Sequence, residues 1–350
     1  MPIVEISPAE ENLLFLSDIQ PQRTFDIFAY EKCVERCRRF KPSTIVVVGD
    51  IIENINMYRD QWLKTWDVTV QKAVVIKLLK MLAEAAGARR MFLIPGNHDL
   101  FMGSDAAIEL AAMMWFFRDF GCEVIPTGEM LIIRYGDKNI LAVHRLGRCG
   151  GSYVTGMSAK MLKVASDLVI ELSRMGIRID AVVTGHTHKS SQRWNAFELI
   201  TLPGWSMDYE ASREARGIYV MTRDLWSLIR VEPTRMIFKE HLIEYMDEFA
   251  KNAMKEFGEE LRGKLREIAP KAVKETLKTP EPTDPIYFVV RALSRAGYSL
   301  DEIVEFIKES NPELFNEENL PKTVKKIAEA LEIKHNTYVN WFYHTFGEER

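Results

Sequence analysis

A chain of 350 residues is long enough for two domains, each able to bury a core of its own. Its 46 basic and 50 acidic residues leave a formal net charge of −4, so no global field draws it to nucleic acid or to an anionic membrane. Cys33, Cys37, Cys122 and Cys149 form no Cys-x-x-Cys pair and no signal-like apolar run opens the chain, which excludes a disulfide framework and leads to the expectation of a reduced, cytoplasmic protein.

The first predicted strand is Leu13 to Ser17, an apolar run that ends on Asp18 and Gln20 in "FLSDIQ". A helix over Thr24 to Phe40 follows, with Cys33 and Cys37 one turn apart on a face that suits small core residues. The second strand, Thr44 to Val48, runs into Asp50 within "VVVGDIIE". Trp62 and Trp66 at i, i+4 read as packing residues ahead of a long helix, Trp66 to Ala86, which stops at Gly87 as a helix C-terminus should. Lys77, Lys80 and Glu84 interrupt its apolar face, so it is no membrane span and no membrane partner is expected.

The third strand, Met91 to Ile94, leads into "LIPGNHDL" with Asn97, His98 and Asp99. The fourth, Ile140 to Val143, ends on His144 and is followed by the Gly-rich "RLGRCGGSYVTG", where Arg145 and Arg148 are candidate phosphate contacts. A plain surface loop would have the same composition. The fifth, Ala181 to Thr184, supplies His186 and His188 from "VVTGHTHKS". Short strands alternating with helices specify an α/β domain over residues 1–234.

From about Arg235 the strand signals stop. Helical periodicity fills Phe238 to Lys278, breaks at "TPEPTDP" and resumes, so residues 235–350 read as an all-helical accessory domain. Thr323 to Phe342 resembles a helix-turn-helix, with Ile327, Ala328 and Leu331 inward, a turn at Glu332 to Lys334, and Lys334 to Thr337 opening a recognition helix. Glu332 stands where such a turn usually holds Gly, and the segment carries no basic surplus beyond Lys322, Lys325, Lys326 and Lys334. Plain helical packing or self-association is therefore weighed beside contact with DNA or RNA. His241, His335 and His344 lack ligand-like neighbours and are set aside as metal ligands.

All five strands thus end on groups that bind cations. Strand C-termini in an open α/β sheet gather at one edge, where ligands bind, so residues distant in sequence can converge there. Carboxylate and amide oxygens mixed with imidazoles, without thiolates, suit Mn²⁺ first and Fe, Zn²⁺ or Ni²⁺ after it. Two such ions side by side can clamp a phosphate and lower the pKa of water, so this ligand set best serves hydrolysis of a phosphate ester.

The series Asp18-x-Gln20, Gly49-Asp50, Gly96-Asn97-His98-Asp99, His144 and Gly185-His186-x-His188 resembles the calcineurin-like metallophosphoesterase family, in order and in rough spacing, over about residues 13 to 205. The resemblance implies a four-layer sandwich, two packed mixed sheets with helices outside, beside the all-α C-terminal domain. It implies one metal held by Asp18, Asp50 and His188, with Gln20 in place of a family histidine. A second metal would be held by Asp50, Asn97, His144 and His186, which makes Asp50 the bridge. His98 would stand off the metals and serve the leaving oxygen, oriented by Asp99.

The leading reading is a dinuclear metal-dependent phosphoesterase, cleaving a phosphodiester in nucleic acid by metal-activated hydroxide. Its rivals are a monoesterase acting on a small metabolite or nucleotide, with the C-terminal helices making a homo-oligomer, and a non-catalytic scaffold on the same core.

Overall fold

The structure is a computed structural model that describes residues 2–9, 11–53, 66, 68–100, 122–146, 159–194, 196–207, 216–222, 226–264, 266–267, 290, 293, 300–310, 323 and 327. Among them are twelve strands. These are β1 (Ile3–Ile6), β2 (Leu13–Leu16), β3 (Thr44–Val48), β4 (Arg90–Ile94), β5 (Glu123–Pro126), β6 (Met130–Tyr135), β7 (Lys138–Val143), β8 (Ala181–Thr184), β9 (Ser191–Trp194), β10 (Glu198–Thr201), β11 (Arg216–Met221) and β12 (Trp226–Val231). The helices are α1 (Ile27–Cys37), α2 (Val68–Ala86), the single turn α3 (Asn97–Leu100), α4 (Ala159–Arg174), α5 (Lys239–Ala253) and α6 (Leu300–Ser310).

The strands form two six-stranded mixed sheets, one ordered β12-β11-β2-β3-β4-β5 and the other β1-β6-β7-β8-β10-β9. In the first, β2, β3, β4 and β5 run parallel, and β3 is buried on both faces, which is why "TIVVV" shows an unbroken β-branched run rather than alternation. The period of two still sorts its side chains. Val46 and Val48 join Phe15, Phe92 and Ile94 in a core shared with Leu131, Ile133, Ile140, Ala142 and Val183 of the second sheet, so the two sheets pack face to face. On the outer side of the second sheet, Leu141, Val143, Val182 and Leu199 pack against Met161, Ala165 and Leu172 of α4. Helix α1 lies on β11 and β12, and Tyr30 Oη donates to the Leu78 carbonyl of α2 at 2.9 Å, which joins the two outer helices of the first sheet. Four layers result, as expected.

Asp26 starts α1 by accepting the Ala29 N–H at 3.2 Å, a side-chain cap that satisfies one of the orphan donors of the first turn. Helix α2 closes at Gly87, where φ is +68° and the Ala88 N–H reaches back to the Ala83 carbonyl at 2.9 Å. The five strands read from sequence are all present. The other seven are not unbroken apolar runs of the kind that marks a buried strand; β6 and β12, for example, carry exposed Arg134 and Arg230 within them.

Residues divide into two compact units, the first running through Gly258 and the second from Glu259 onward. The first therefore takes in α5 and the π-helical turn Met254–Gly258, past the expected boundary at residue 234. Lys80 pairs with Glu256 at 2.8 Å, and Lys77 lies over the Phe249 ring at 5.2 Å, so α5 and its turn are moored on α2. In the second unit α6 presents Ile303, Val304 and Ile307 as its buried stripe. Of the expected helix-turn-helix only Thr323 and Ile327, both buried, are described; the remainder of residues 323–342 lies outside the described residues.

Because Phe92 is fully buried at the contact of the two sheets, Phe92→Ala is expected to cost about 3–5 kcal/mol, read from chemical denaturation of the full chain.

Candidate metal centre

The parallel neighbours β2, β3 and β4 release their chains at one edge of the first sheet, and the β2–β3 ladder continues past the strands. The Asp18 N–H donates to the Gly49 carbonyl at 3.1 Å and the Gln20 N–H to the Asp50 carbonyl at 3.2 Å. Asp18, Gln20 and Asp50 are each fully buried. From the second sheet, β7 delivers His144 and β8 delivers His186 and His188 to the same place.

Asp50 stands at the centre. Its Oδ2 accepts from Gln20 Nε2 at 3.1 Å and lies 3.1 Å from His144 Nε2 and 3.8 Å from His98 Nε2; its Oδ1 accepts the His98 backbone N–H at 2.9 Å. Ligand atoms of Asp50, His144 and His186 all lie within 4.8 Å of one another. Asp18 takes the His186 backbone N–H at 3.0 Å and faces His188 Nε2 at 3.5 Å. Asn97 opens α3 beside them. Arg145 follows His144 in the chain and its charge is felt at His186, whereas Arg148 lies outside the described residues.

The backbone is strained to make this arrangement. Asp18, Gln20, Asp50, His186 and His188 all have positive φ, from 35° to 69°, at a cost of about 1–3 kcal/mol each for residues other than Gly. Five such residues around one point is a pattern that packing alone does not require. Gly49 and Gly185 serve the same crowding, since a Cβ on Gly49 would sit 2.3 Å from His144 Cγ and one on Gly185 1.9 Å from Ser17 Oγ.

The donor set fits cations. Gln20 Oε1, Asn97 Oδ1 and His144 Nε2 are buried lone-pair atoms without a hydrogen-bond partner, which is costly unless a cation takes them up. His144 Nδ1 is 2.8 Å from the Val48 carbonyl, an acceptor only, so the proton sits on Nδ1 and Nε2 is turned toward Asp50. Burial pushes His188 down to about 3, and burial with the charge of His144 brings His186 to about 4, so both rings are neutral donors at neutral pH. Burial and the charge of Asp50 push the Asp18 carboxyl up to about 7. Burial also works against Asp50, yet the charges and hydrogen bonds of His144 and His98 together outweigh it and hold that carboxyl well below the ordinary range.

His98 has a different environment. Its Nδ1 is 3.3 Å from Glu53 Oε1, with Glu53 fully buried. Burial opposes protonation of this ring, but Glu53 as acceptor for its N–H and the charges of Asp50, Glu53 and Asp99 together outweigh it and raise His98 to about 9. The family resemblance implies that Asp99 orients this ring. The Asp99 carboxylate instead gathers the backbone N–H groups of Ile51 and Ile52 at 3.1 Å and of Gly96 at 2.8 Å, and so ties the loop after β3 to the loop after β4. Glu53 was overlooked although it stands in the quoted "GDIIE", three residues beyond Asp50; which way it points depends on a loop path that composition does not reveal.

The remaining histidine of the described residues, His241, is exposed on α5 beside Glu244 at 3.6 Å.

The profile of the calcineurin-like phosphoesterases matches residues 12–190. No curated protein matches the chain. Among solved structures, an archaeal phosphodiesterase is 16% identical with a TM-score of 0.38, over 63% of this chain and 99% of that one. A hypothetical protein of Pyrococcus horikoshii is 10% identical with a TM-score of 0.37, over 70% of this chain and 97% of that one. A Thermus thermophilus protein is 12% identical with a TM-score of 0.35, over 63% and 98%.

Proposed function

The chain belongs to the calcineurin-like phosphoesterase family and is a phosphate-ester hydrolase, and from that premise we propose that it cleaves a phosphodiester in nucleic acid with two divalent cations, manganese in preference, in the cytoplasm. The observation that carries the reading is Asp50, one buried carboxylate reached at once by Gln20, His98 and His144.

In this reading Asp18, Gln20, Asp50 and His188 hold one cation, and Asp50, Asn97, His144 and His186 the other. When bound, the pair supplies positive charge to the phosphate and makes water acidic enough to attack near neutral pH. His98 keeps its Nδ1 proton on Glu53 and turns Nε2–H toward the leaving oxygen, to which it gives a proton as the ester bond breaks. Asp99 fixes the two loops that carry Asp50 and His98, and Arg145 meets a non-bridging phosphate oxygen. The buried free thiols Cys33, Cys37 and Cys122 suit a reducing compartment.

The choice of nucleic acid is supported by the sequence pattern at 323–342. Binding of single- and double-stranded oligonucleotides to the full chain, followed against salt, tests it. Reversal of Lys325 and Lys326 to Glu is expected to lower the slope of log K on log salt by about one per lost phosphate contact. An unchanged slope would show that these two lysines meet no phosphate, whereas a full chain that binds no oligonucleotide at any salt would sink the nucleic-acid substrate and leave the monoester reading.

Gln20 offers a further expectation. An imidazole is a better ligand for manganese, iron or zinc than a neutral amide, so Gln20→His should tighten the weaker of two manganese-binding events, about tenfold by calorimetry, in line with the effect of groups around metal sites. Unchanged affinities would mean that the residue at this position does not meet the ion.

A further inference from the structure

Helix α5 lies beyond residues 12–190, yet one of its side chains is linked toward the site by hydrogen bonds. Asp247 Oδ1 accepts from Arg23 Nε at 2.9 Å, its Oδ2 is paired with Arg23 Nη2, and Oδ1 also accepts the indole N–H of Trp66 at 3.2 Å. Both partners belong to stretches that run into the metal centre. Arg23 lies three residues after Gln20. The Trp66 carbonyl accepts Gln71 Nε2 at 2.8 Å, Gln71 Oε1 accepts the Glu53 backbone N–H at 2.9 Å, and Glu53 faces His98 Nδ1 at 3.3 Å.

This makes a run of hydrogen-bonded groups from Asp247 through Trp66 and Gln71 to the Glu53 backbone, closed by the 3.3 Å approach of the Glu53 carboxylate to His98 Nδ1. Its inner members are secluded, with Gln71 and Glu53 fully buried, so each holds its neighbour in one geometry. Its outer end is an aspartate on a helix that Lys77 and Lys80 moor to α2 through Glu256 and Phe249. A carboxylate that clamps an arginine in bidentate fashion has little rotational freedom left, so the indole it accepts from is fixed as well.

We propose that Asp247 is a positioning residue for His98: by holding Trp66 and Arg23 it sets the place of Glu53, and through Glu53 the direction of the His98 ring. The helix after the catalytic sheets is then a working part of the site. This inference rests on the reading of His98 as the group that serves the leaving oxygen.

The test uses the full chain labelled with ¹⁵N-histidine, in which the His98 imidazole signals are those lost in His98→Ala. Trp66→Phe removes the indole N–H and keeps an aromatic ring there, and near-ultraviolet circular dichroism guards against a folding defect; Asp247→Ala removes the clamp, and Tyr245→Phe on the same helix is the control. The His98 Nδ1 resonance should move in Trp66→Phe and Asp247→Ala and stay in Tyr245→Phe. On a diester with manganese, Asp247→Ala should lower kcat about tenfold with KM within about twofold, as loss of an outer partner does. Placed in His98→Ala, the same substitution should cost nothing further. Unmoved His98 signals in both variants, or an equal loss with and without His98, would overturn the proposal. A wild type that hydrolyses no ester while its His98 signals do move would sink the proposed function and leave the positioning role standing.

Discussion

Asp50→Asn is expected to lower phosphodiester hydrolysis on the order of 10³-fold, the upper end of what a single preorganised electrostatic group contributes. The substitution keeps the shape of the side chain and an oxygen for the His98 backbone N–H, so the loops should stay in place. What disappears is the negative charge at the point where Gln20, His98 and His144 meet. Without it the two proposed cations would lose the one carboxylate they share, and His144 Nε2 would lose the anionic oxygen 3.1 Å away. Near-ultraviolet circular dichroism checks that the fold is retained, and steady-state kinetics with saturating manganese measures the loss. Activity within tenfold of the wild type would remove Asp50 from the centre of the mechanism.

His98→Ala is expected to cost about 10²–10⁴-fold on a diester with an alcohol leaving group, the range for a lost general acid. On bis-p-nitrophenyl phosphate the loss should be far smaller, because an acidic nitrophenol departs without a proton. The contrast between the two substrates separates proton donation from any general damage to the site, which would lower both alike. Glu53→Gln should follow the same pattern more weakly, by about 10-fold, since it keeps the volume but removes the charge that favours the His98 cation. Equal losses on both leaving groups would show that His98 acts in binding rather than in proton transfer.

How far the sequence disclosed this site depended on the physical character of each signal. Asp18, Asp50, His144, His186 and His188 could be read because each follows a strand that is buried on both faces, and such a strand announces itself as an apolar run ending abruptly in a polar residue. Asp99 was read as the partner of His98 because it is adjacent in sequence. On the single turn α3 successive side chains diverge, and its carboxylate is spent on backbone N–H groups of Ile51, Ile52 and Gly96. Glu53 and Asp247 illustrate the opposite failure: each meets its partner only through tertiary contacts, Glu53 with His98 and Asp247 with Arg23 over 224 residues. Strand β6 of the second sheet and the edge strand β12 of the first are harder to read because each carries an exposed arginine, Arg134 or Arg230, within it.

The most direct check is anomalous diffraction at the manganese edge from crystals of the full chain grown with manganese. Two manganese peaks per chain, both in contact with Asp50 and one of them with His144 and His186, are predicted; an active enzyme with one peak, or with peaks that do not share Asp50, would contradict a dinuclear centre bridged by that residue.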